Sequence, residues 1–98
     1  MTVRIRFRPE AEAELNEAIS WYDARGPGLG SEFFRSVEGS IALIARHPEM
    51  HPVAFGNARR AMIRRFPYSL IYVHSAEEVL IVACMYGGRD PRRWQSRL

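Results

Sequence analysis

The chain has 98 residues, which suffices for one domain with one core and excludes a second domain or a large multi-step enzyme. Its hydrophobic fraction of 47% is that of a folded globular protein and excludes a disordered chain. All 14 basic side chains are arginines, against 11 acidic ones, so the net charge is +3 and any chemistry that needs a lysine is excluded.

The charge is unevenly distributed along the chain. Residues 1–49 hold six arginines and eight acids (−2), whereas residues 50–98 hold eight arginines and three acids (+5). A basic half of this kind could meet nucleic acid, an acidic partner segment or an anionic surface. Codon preference in a GC-rich genome would also give arginine without lysine, so composition alone does not select a polyanion-binding function.

The chain contains one cysteine, Cys84, so no disulfide can form within it. Residues 1–7 alternate apolar and basic side chains and lack the apolar stretch of a signal peptide. The longest apolar run, residues 79–86, is too short to cross a bilayer. We therefore expect a cytoplasmic protein that does not associate with membranes.

The first predicted element is a strand over residues 2–8, where apolar and basic side chains alternate with the two-residue period of a half-buried strand. A helix is predicted from Pro9 to about Arg25, because proline is favoured at the first helical position and glutamates follow it. Residues 26–28, a Gly-Pro-Gly sequence, end this helix. Spacings of three and four predict a buried stripe made of Ala11, Leu15, Ala18, Ile19 and Tyr22.

A second helix is predicted from about Leu29 to Arg46, and the short link before it predicts an antiparallel helical hairpin. Residues 48–58 contain two prolines, a glycine and an asparagine, which predicts a loop. The apolar stripe of the second helix is predicted to consist of Phe34, Val37, Ile41 and Ile44.

Three strands are predicted after this loop, over residues 59–66, 68–74 and 79–86. The last is a nearly continuous apolar run of the kind that is buried on both faces. The predicted order is therefore β-α-α-β-β-β. This is an α+β fold in which a helical hairpin packs on a small, mainly antiparallel four-stranded sheet.

The end of the chain changes character after the two glycines at 87 and 88, which we interpret as a hinge. Asp90 is a good N-cap and Pro91 suits the first helical position, so a short C-terminal helix or ordered tail is predicted. No internal repeat or linker interrupts the sequence, so residues 1–98 are predicted to form a single domain.

The sequence carries no motif for metal binding, phosphate binding or nucleophilic catalysis. The three histidines and the single cysteine have no metal-ligand spacing, so we expect neither a metal site nor a cofactor. The glycines at 26, 28 and 30 join two helices and do not follow a strand, as a phosphate-binding loop would. No serine lies in a nucleophile-elbow motif.

What remains is a basic and aromatic group in the C-terminal half of the chain. Arginines interleaved with aromatic side chains can bind phosphates and unstacked bases, or hold an acidic helical partner. Tyr72 and Trp94 can equally be core residues with a polar tip. The group consists of Arg59, Arg60, Arg64, Arg65, Tyr68, Tyr72, Tyr86, Arg89, Arg92, Arg93, Trp94 and Arg97.

Three stretches resemble the toxins of type II toxin–antitoxin modules, the RelE/ParE superfamily, and most closely its ParE-like branch. They are EAEAELNEAISWYDARGPGLGSEFF (residues 10–34), RRFPYSLIYV (64–73) and GRDPRRWQSRL (88–98). The most specific motifs are Trp-Tyr (21–22) before Pro-Gly-Leu-Gly (27–30), Phe-Pro-Tyr (66–68) before Ile-Tyr (71–72), and Arg-Asp-Pro (89–91) followed by Trp94. The resemblance covers nearly the whole chain and implies the β-α-α-β-β-β fold.

The resemblance implies a small bacterial growth inhibitor that a cognate antitoxin holds inactive in a hetero-oligomer, with operator DNA contacted only indirectly, through the antitoxin. ParE-like members are associated with inhibition of DNA gyrase, whereas RelE-like members cleave mRNA on the ribosome. The RelE-like branch uses lysines, arginines and a C-terminal tyrosine for proton transfer and charge stabilisation. Here there is no lysine, Ser69 stands where that branch has an arginine, and Trp94 or Gln95 stands where it has the tyrosine.

These departures favour a toxin that inhibits gyrase without catalysis of its own, since arginine is a poor acid or base near neutral pH. The alternative is a ribosome-dependent endoribonuclease that would use Arg64, Arg65, Tyr86 and Arg89. A third possibility is an inactive remnant that only binds an antitoxin.

We expect two sets of binding residues. The set expected to contact the target lies in the C-terminal tail and consists of Arg89, Arg92, Arg93, Trp94 and Arg97. Removing residues 89–98 is therefore expected to abolish toxicity and leave the fold intact. The set expected to contact the antitoxin lies between the hairpin and the sheet and consists of Leu15, Ile19, Tyr22, Phe34, Arg60, Arg64 and Tyr72.

Overall fold

Two long helices, five strands and a short C-terminal helix make up the computed structural model, which describes residues 3–87 and 89–98. The α+β class and the helical hairpin are confirmed, while Thr2 of the first predicted strand and Gly88 of the predicted hinge lie outside the described residues. The elements are β1 (Arg4–Phe7), α1 (Pro9–Arg25), α2 (Leu29–Arg46), β2 (Val53–Phe55), β3 (Ala58–Met62), β4 (Tyr68–His74), β5 (Glu78–Tyr86) and α3 (Arg92–Gln95).

The strands form one sheet in the order β1-β5-β4-β3-β2. β1 runs parallel to β5, and the other neighbouring strands are antiparallel. Phe7, the last residue of β1, pairs with Ile81 in the middle of β5. Within the described chain, residues 82–86 of β5 therefore have no strand neighbour on the β1 side.

The predicted count of four strands is wrong, because residues 53–55 of the predicted loop form a short fifth strand at the edge of the sheet. β2 pairs with β3 across a turn at Gly56, whose φ of 57° is left-handed. All three side chains of β2 are exposed, so the strand has no alternation of buried and exposed positions that the sequence could reveal. The predicted strand 59–66 also ends early, at Met62.

The helical hairpin packs on one face of the sheet. In α1 the predicted stripe is buried, except that Ile19 remains partly exposed. In α2 the buried aromatic residue is Phe33, which is fully buried, and the predicted Phe34 is 39% exposed. The reason is the close approach of the helices at Gly30, whose N–H donates to Oδ1 of Asp23 at 2.9 Å. Phe33, three residues after Gly30, lies on the same buried face of α2 and therefore packs in the core.

The two faces of the sheet have separate cores. The face covered by α1 and α2 contains the larger cluster, to which all strands except β2 contribute. On the opposite face a smaller cluster forms around Trp94 of α3, with Ile71, Val82 and Met85 from the central strands. The C-terminal residues thus provide the second layer over the sheet.

In the described residues, neither long helix combines the length and the apolar composition that a membrane span requires.

Candidate functional site

A cleft of about 620 Å³ lies beside the second half of β5, where β1 has ended. Helix α1 forms one wall, the ends of β4 and β5 form the floor, and the C-terminal segment, defined as residues 89–98, forms the other wall. We call it the α1–β5 cleft. It is lined by Glu14, Glu17, Ala18, Trp21, Tyr22, Pro67, Tyr68, Cys84, Met85, Tyr86, Arg89 and Arg93.

Four aromatic rings run through the α1–β5 cleft, each meeting the next edge to face. Ring centroids are 5.1 Å apart for Trp21 and Tyr22, 6.1 Å for Tyr22 and Tyr68, and 5.7 Å for Tyr68 and Tyr86. Burial raises the pKa of Tyr22 and of Tyr68, and neighbouring phenols raise it further. These two phenols therefore remain protonated near neutral pH and can donate hydrogen bonds into the cleft.

A β-bulge shapes the edge of β5 that faces the cleft. Ile71 pairs with Ala83 while Tyr72 pairs with Ile81, which leaves Val82 as the additional residue of β5. Two backbone groups at this edge bond to side chains in place of a strand. The N–H of Cys84 donates to Oε1 of Glu14 at 3.1 Å, and the carbonyl of Val82 accepts from Nη1 of Arg97 at 3.1 Å.

Glu14 and Arg97 themselves form a two-pronged ion pair. Nη1 of Arg97 donates to Oε1 of Glu14 at 3.0 Å, and Nη2 donates to Oε2 at 2.8 Å. The side chains are only 15% and 12% exposed, respectively. Hydrogen bonding to Glu14 raises the pKa of Arg97, and the pair attaches the C-terminal segment to both α1 and β5.

Trp94 attaches the same segment to the opposite face of the sheet. Its side chain is 2% exposed and meets the ring of Phe55 edge to face at 6.2 Å. The expectation that residues 89–98 could be removed without effect on the fold is therefore corrected. Their loss would uncover Ile71, Val82 and Met85 and leave the Glu14 carboxylate without its cation.

The residues expected to contact the target divide into two groups. Arg89, Arg92 and Arg93 are exposed, and Arg89 and Arg93 line the α1–β5 cleft. Arg92 instead points to solvent and pairs with Asp90 at 2.8 Å. Trp94 and Arg97 face inward, which corrects their assignment as target contacts. Trp94 fills the second core, and Arg97 donates a hydrogen bond to the carbonyl of Val82, the additional residue of the β-bulge.

The four candidates for nuclease chemistry are not brought together. Tyr86 and Arg89 line the α1–β5 cleft. Arg64 and Arg65 are exposed in the turn between β3 and β4, outside the lining of the cleft, and Arg65 has a left-handed φ of 69°.

The residues expected to contact the antitoxin are also dispersed. Ile19 and Phe34 lie in a shallow groove of about 450 Å³ on the outer side of the hairpin, which we call the hairpin groove. Gly30, Ser31 and Arg35 complete its lining.

The other members of that set lie elsewhere. Leu15 and Tyr72 belong to the core, where the hydroxyl of Tyr72 donates to the carbonyl of Pro48 at 2.6 Å, so neither can be a direct contact. Tyr22 is 9% exposed and borders the α1–β5 cleft, not the hairpin groove. Arg60 and Arg64 are exposed but line neither concavity.

Eight of the twelve lining residues were not among the site residues expected from the sequence, and three of these eight, Glu14, Glu17 and Trp21, carry a charge or a half-exposed aromatic ring. Trp21 is 49% exposed, with the guanidinium of Arg25 lying 3.9 Å from its ring centroid. Glu14 and Glu17 have the spacing of ordinary solvated helix residues. Trp21 stands in one of the stretches that carried the resemblance, but nothing in the sequence links Glu14 to Arg97, 83 residues away.

The metal-ligating side chains and the single thiol can be located in the structure. Within residues 3–87 and 89–98, no group of three or more metal-ligating side chains comes together. Burial raises the pKa of the Cys84 thiol to about 12, which favours the neutral thiol over the nucleophilic thiolate near neutral pH.

Comparisons with known proteins match this arrangement to one family and one fold. A family model described as ParE toxin of the type II toxin–antitoxin system parDE matches residues 5–91. Among solved structures, a chain of the chromosomal ParDE toxin–antitoxin system from P. aeruginosa superposes with a TM-score of 0.75 at 15% sequence identity. The match covers 87% of this chain and 96% of that chain. A search of curated proteins finds no match.

Proposed function

The chain belongs to the ParE toxin family of type II toxin–antitoxin systems, and from that premise we propose that it inhibits DNA gyrase by binding, without catalysis of its own. A cognate antitoxin holds it inactive in a hetero-oligomer and provides the only link to operator DNA. The proposed site of action is the cytoplasm, where bacterial DNA is supercoiled.

The observation that carries this proposal is the composition of the α1–β5 cleft. Arg89 and Arg93 line it, and in the described part of the chain neither guanidinium has a carboxylate partner. Beside them lie the half-exposed rings of Trp21 and Tyr86. Arginine and aromatic side chains of this kind are enriched at the centres of protein interfaces, which supports recognition by binding.

The same cleft is poorly equipped for proton transfer. An arginine remains charged near neutral pH, and a phenol of raised pKa, such as Tyr68, is a weak acid. The carboxylate of Glu14 is engaged by Arg97 and by the N–H of Cys84. RNA cleavage needs both a base for the 2′-hydroxyl and an acid for the leaving oxygen, and none of the described lining residues is a histidine.

A supercoiling assay with purified gyrase tests the proposal. Wild-type protein is expected to inhibit supercoiling, and R89A/R93A is expected to weaken that inhibition by about tenfold or more. R4A/R46A is a matched control, because it removes two exposed arginines that lie outside the cleft lining. If the wild-type protein leaves supercoiling normal at concentrations at which it arrests growth, gyrase is not the target. Harmless expression without antitoxin would indicate the inactive remnant.

A ribosome-dependent endoribonuclease is the second candidate, because Tyr86 and Arg89 share the cleft with the carboxylate of Glu17. Cut mRNA ends at the moment of growth arrest, lost in E17Q and Y86F, would establish it. Intact transcripts during arrest would exclude it.

We assign antitoxin binding to the hairpin groove, since Ile19 and Phe34 offer partly exposed apolar surface there. I19A/F34A is expected to weaken antitoxin binding and leave toxicity intact, as shown by titration of the antitoxin against growth arrest. R4A/R46A again serves as the control, because neither of its arginines lines the groove. Loss of toxicity in I19A/F34A would contradict the assignment.

A further inference from the structure

Glu14 lies where α1, β5 and the C-terminal segment meet, and both of its carboxylate oxygens accept hydrogen bonds. Oε1 accepts from the N–H of Cys84 at 3.1 Å and from Nη1 of Arg97 at 3.0 Å, and Oε2 accepts from Nη2 of Arg97 at 2.8 Å. Three charge-assisted hydrogen bonds from two elements fix the position of this side chain. Glu14 is also part of the wall of the α1–β5 cleft.

The position of Arg97 determines where Arg93 points. The N–H of Trp94 donates to the carbonyl of Pro91, and the N–H of Arg97 donates to the carbonyl of Trp94, so the segment is coiled throughout. Most of these bonds span three residues, so Arg93 and Arg97 belong to one tight run of turns in which fixing Arg97 restricts the position of Arg93. With Arg97 held at Val82 and Glu14, the side chain of Arg93 is directed into the cleft, in agreement with its place in the lining.

The second attachment of the segment does not replace this one. Trp94 holds the segment by burial on the opposite face of the sheet. A buried apolar side chain sets the depth of the segment but makes no directional bond to the strand edge. The bonds of Arg97 to Glu14 and Val82 are the directional side-chain contacts that oppose rotation of the segment about Trp94, and the N–H of Arg89, which donates to the carbonyl of Tyr86 at 3.0 Å, fixes its start.

We propose that Glu14 is a positioning residue for the toxic activity. Through Arg97 it fixes the C-terminal segment so that the guanidinium group of Arg93 is presented in the α1–β5 cleft beside that of Arg89. The proposal rests on the proposed function, in that the cleft arginines contact the target. It adds that the bonds of Glu14 to Arg97 and to the N–H of Cys84 determine the geometry of that contact.

The test separates positioning from stability. E14A removes all three bonds, E14Q keeps the shape and an acceptor oxygen but removes the charge, and V37A serves as the control. Val37 is fully buried on α2, outside the cleft, and V37A weakens the core without touching the Glu14–Arg97 pair. All measurements are made on the full chain at a temperature where denaturation curves show each variant fully folded.

Two readouts do not depend on the identity of the target. The first is growth arrest at equal expression, where E14A is expected to be weaker than V37A by about tenfold, with E14Q in between. The second is the alkylation rate of Cys84, the only cysteine of the chain, whose backbone N–H bonds to Glu14. Cys84 lines the α1–β5 cleft together with Glu14 and Arg93. If the segment that forms one wall of the cleft is released, the reagent is expected to reach the thiol more easily, so E14A is expected to be alkylated faster than V37A.

The outcomes are distinct. Equal growth arrest by E14A and V37A would overturn the positioning role, as would equal alkylation rates. Failure of the wild type to inhibit gyrase would refute the proposed target and leave both comparisons interpretable. Wild-type toxicity in E14Q with slow alkylation would show that the charge is dispensable and would overturn the role of the ion pair.

Discussion

The two faces of the sheet are covered in different ways. On one face, helices of 17 and 18 residues cover a cluster in which fourteen of the described residues are buried, so that stabilisation is spread over many side chains. On the other face, a helix of four residues contributes one buried side chain, Trp94, to a cluster of six such residues. The segment that carries the candidate target contacts is thus held by two side-chain anchors, Trp94 and the Glu14–Arg97 pair.

The largest expected effect is that of W94A. Truncating a fully buried tryptophan to alanine costs about 3–5 kcal/mol of unfolding free energy, and among the described residues no other helical side chain belongs to this cluster. W21A is the matched control, because Trp21 is 49% exposed and its truncation is expected to cost less than about 1 kcal/mol. Urea denaturation measures the unfolding free energy of both variants. Equal losses of unfolding free energy would contradict the view that the stability of this face depends mainly on Trp94.

R97A is expected to have the next largest effect. Removing one partner of a buried ion pair typically costs about 3–5 kcal/mol, and the remaining exposure of Glu14 and Arg97 reduces this to about 2–3 kcal/mol. E14A/R97A is expected to be less unstable than the sum of the single variants, because no carboxylate is left without its cation. Additive losses in denaturation curves would show that the pair is not coupled.

G30A tests how closely the two helices of the larger face approach. A Cβ at Gly30 would lie 2.6 Å from the carbonyl oxygen of Ile19 and closer still to the Asp23 carboxylate. We expect a loss of about 1–3 kcal/mol from overpacking. G39A on the same helix meets nothing within 4 Å and is expected to stabilise the protein by roughly 0.5–1 kcal/mol. If thermal denaturation shows that G30A and G39A change the stability in the same direction, the close approach of the helices at Gly30 is contradicted.

The smallest effect is expected for R92A. The Arg92 side chain is 86% exposed and pairs only with Asp90, two residues away. Exposed ion pairs of this type contribute little, so the melting temperature is expected to remain unchanged. A clear fall in melting temperature would mean that the C-terminal segment has an anchor besides Trp94 and Arg97.

Periodicity was sufficient to predict most of the fold. The bounds of α1, α2 and β4 agree with the predicted elements, because glycines and prolines mark the ends and apolar spacing marks the faces. The short edge strand β2 could not be predicted, since its three exposed side chains carry no pattern. The choice between Phe33 and Phe34 depended on the approach of two helices at Gly30, which is a tertiary property.

The candidate site was predictable only in part. Tyr86, Arg89 and Arg93 were expected to matter, and the structure gathers them in one cleft. The sequence did not indicate which arginines of the tail are exposed and which face inward. Arg97 is largely buried because it bonds to the β-bulge in β5 and to a glutamate 83 residues earlier in the chain. Contacts of such long sequence separation leave no local signal.

The hydrogen bonds at the free edge of β5 also affect whether molecules of this protein associate with one another. β5 is the longest described strand and eight of its nine residues are apolar, and an open edge on such a strand would favour pairing with a strand of another molecule. The N–H of Cys84 and the carbonyls of Val82 and Tyr86 are already bonded, to Glu14, Arg97 and the N–H of Arg89. The contacts that hold the C-terminal segment thus also protect the sheet from edge-to-edge aggregation, and a toxin that loses them is expected to become less soluble as well as less active.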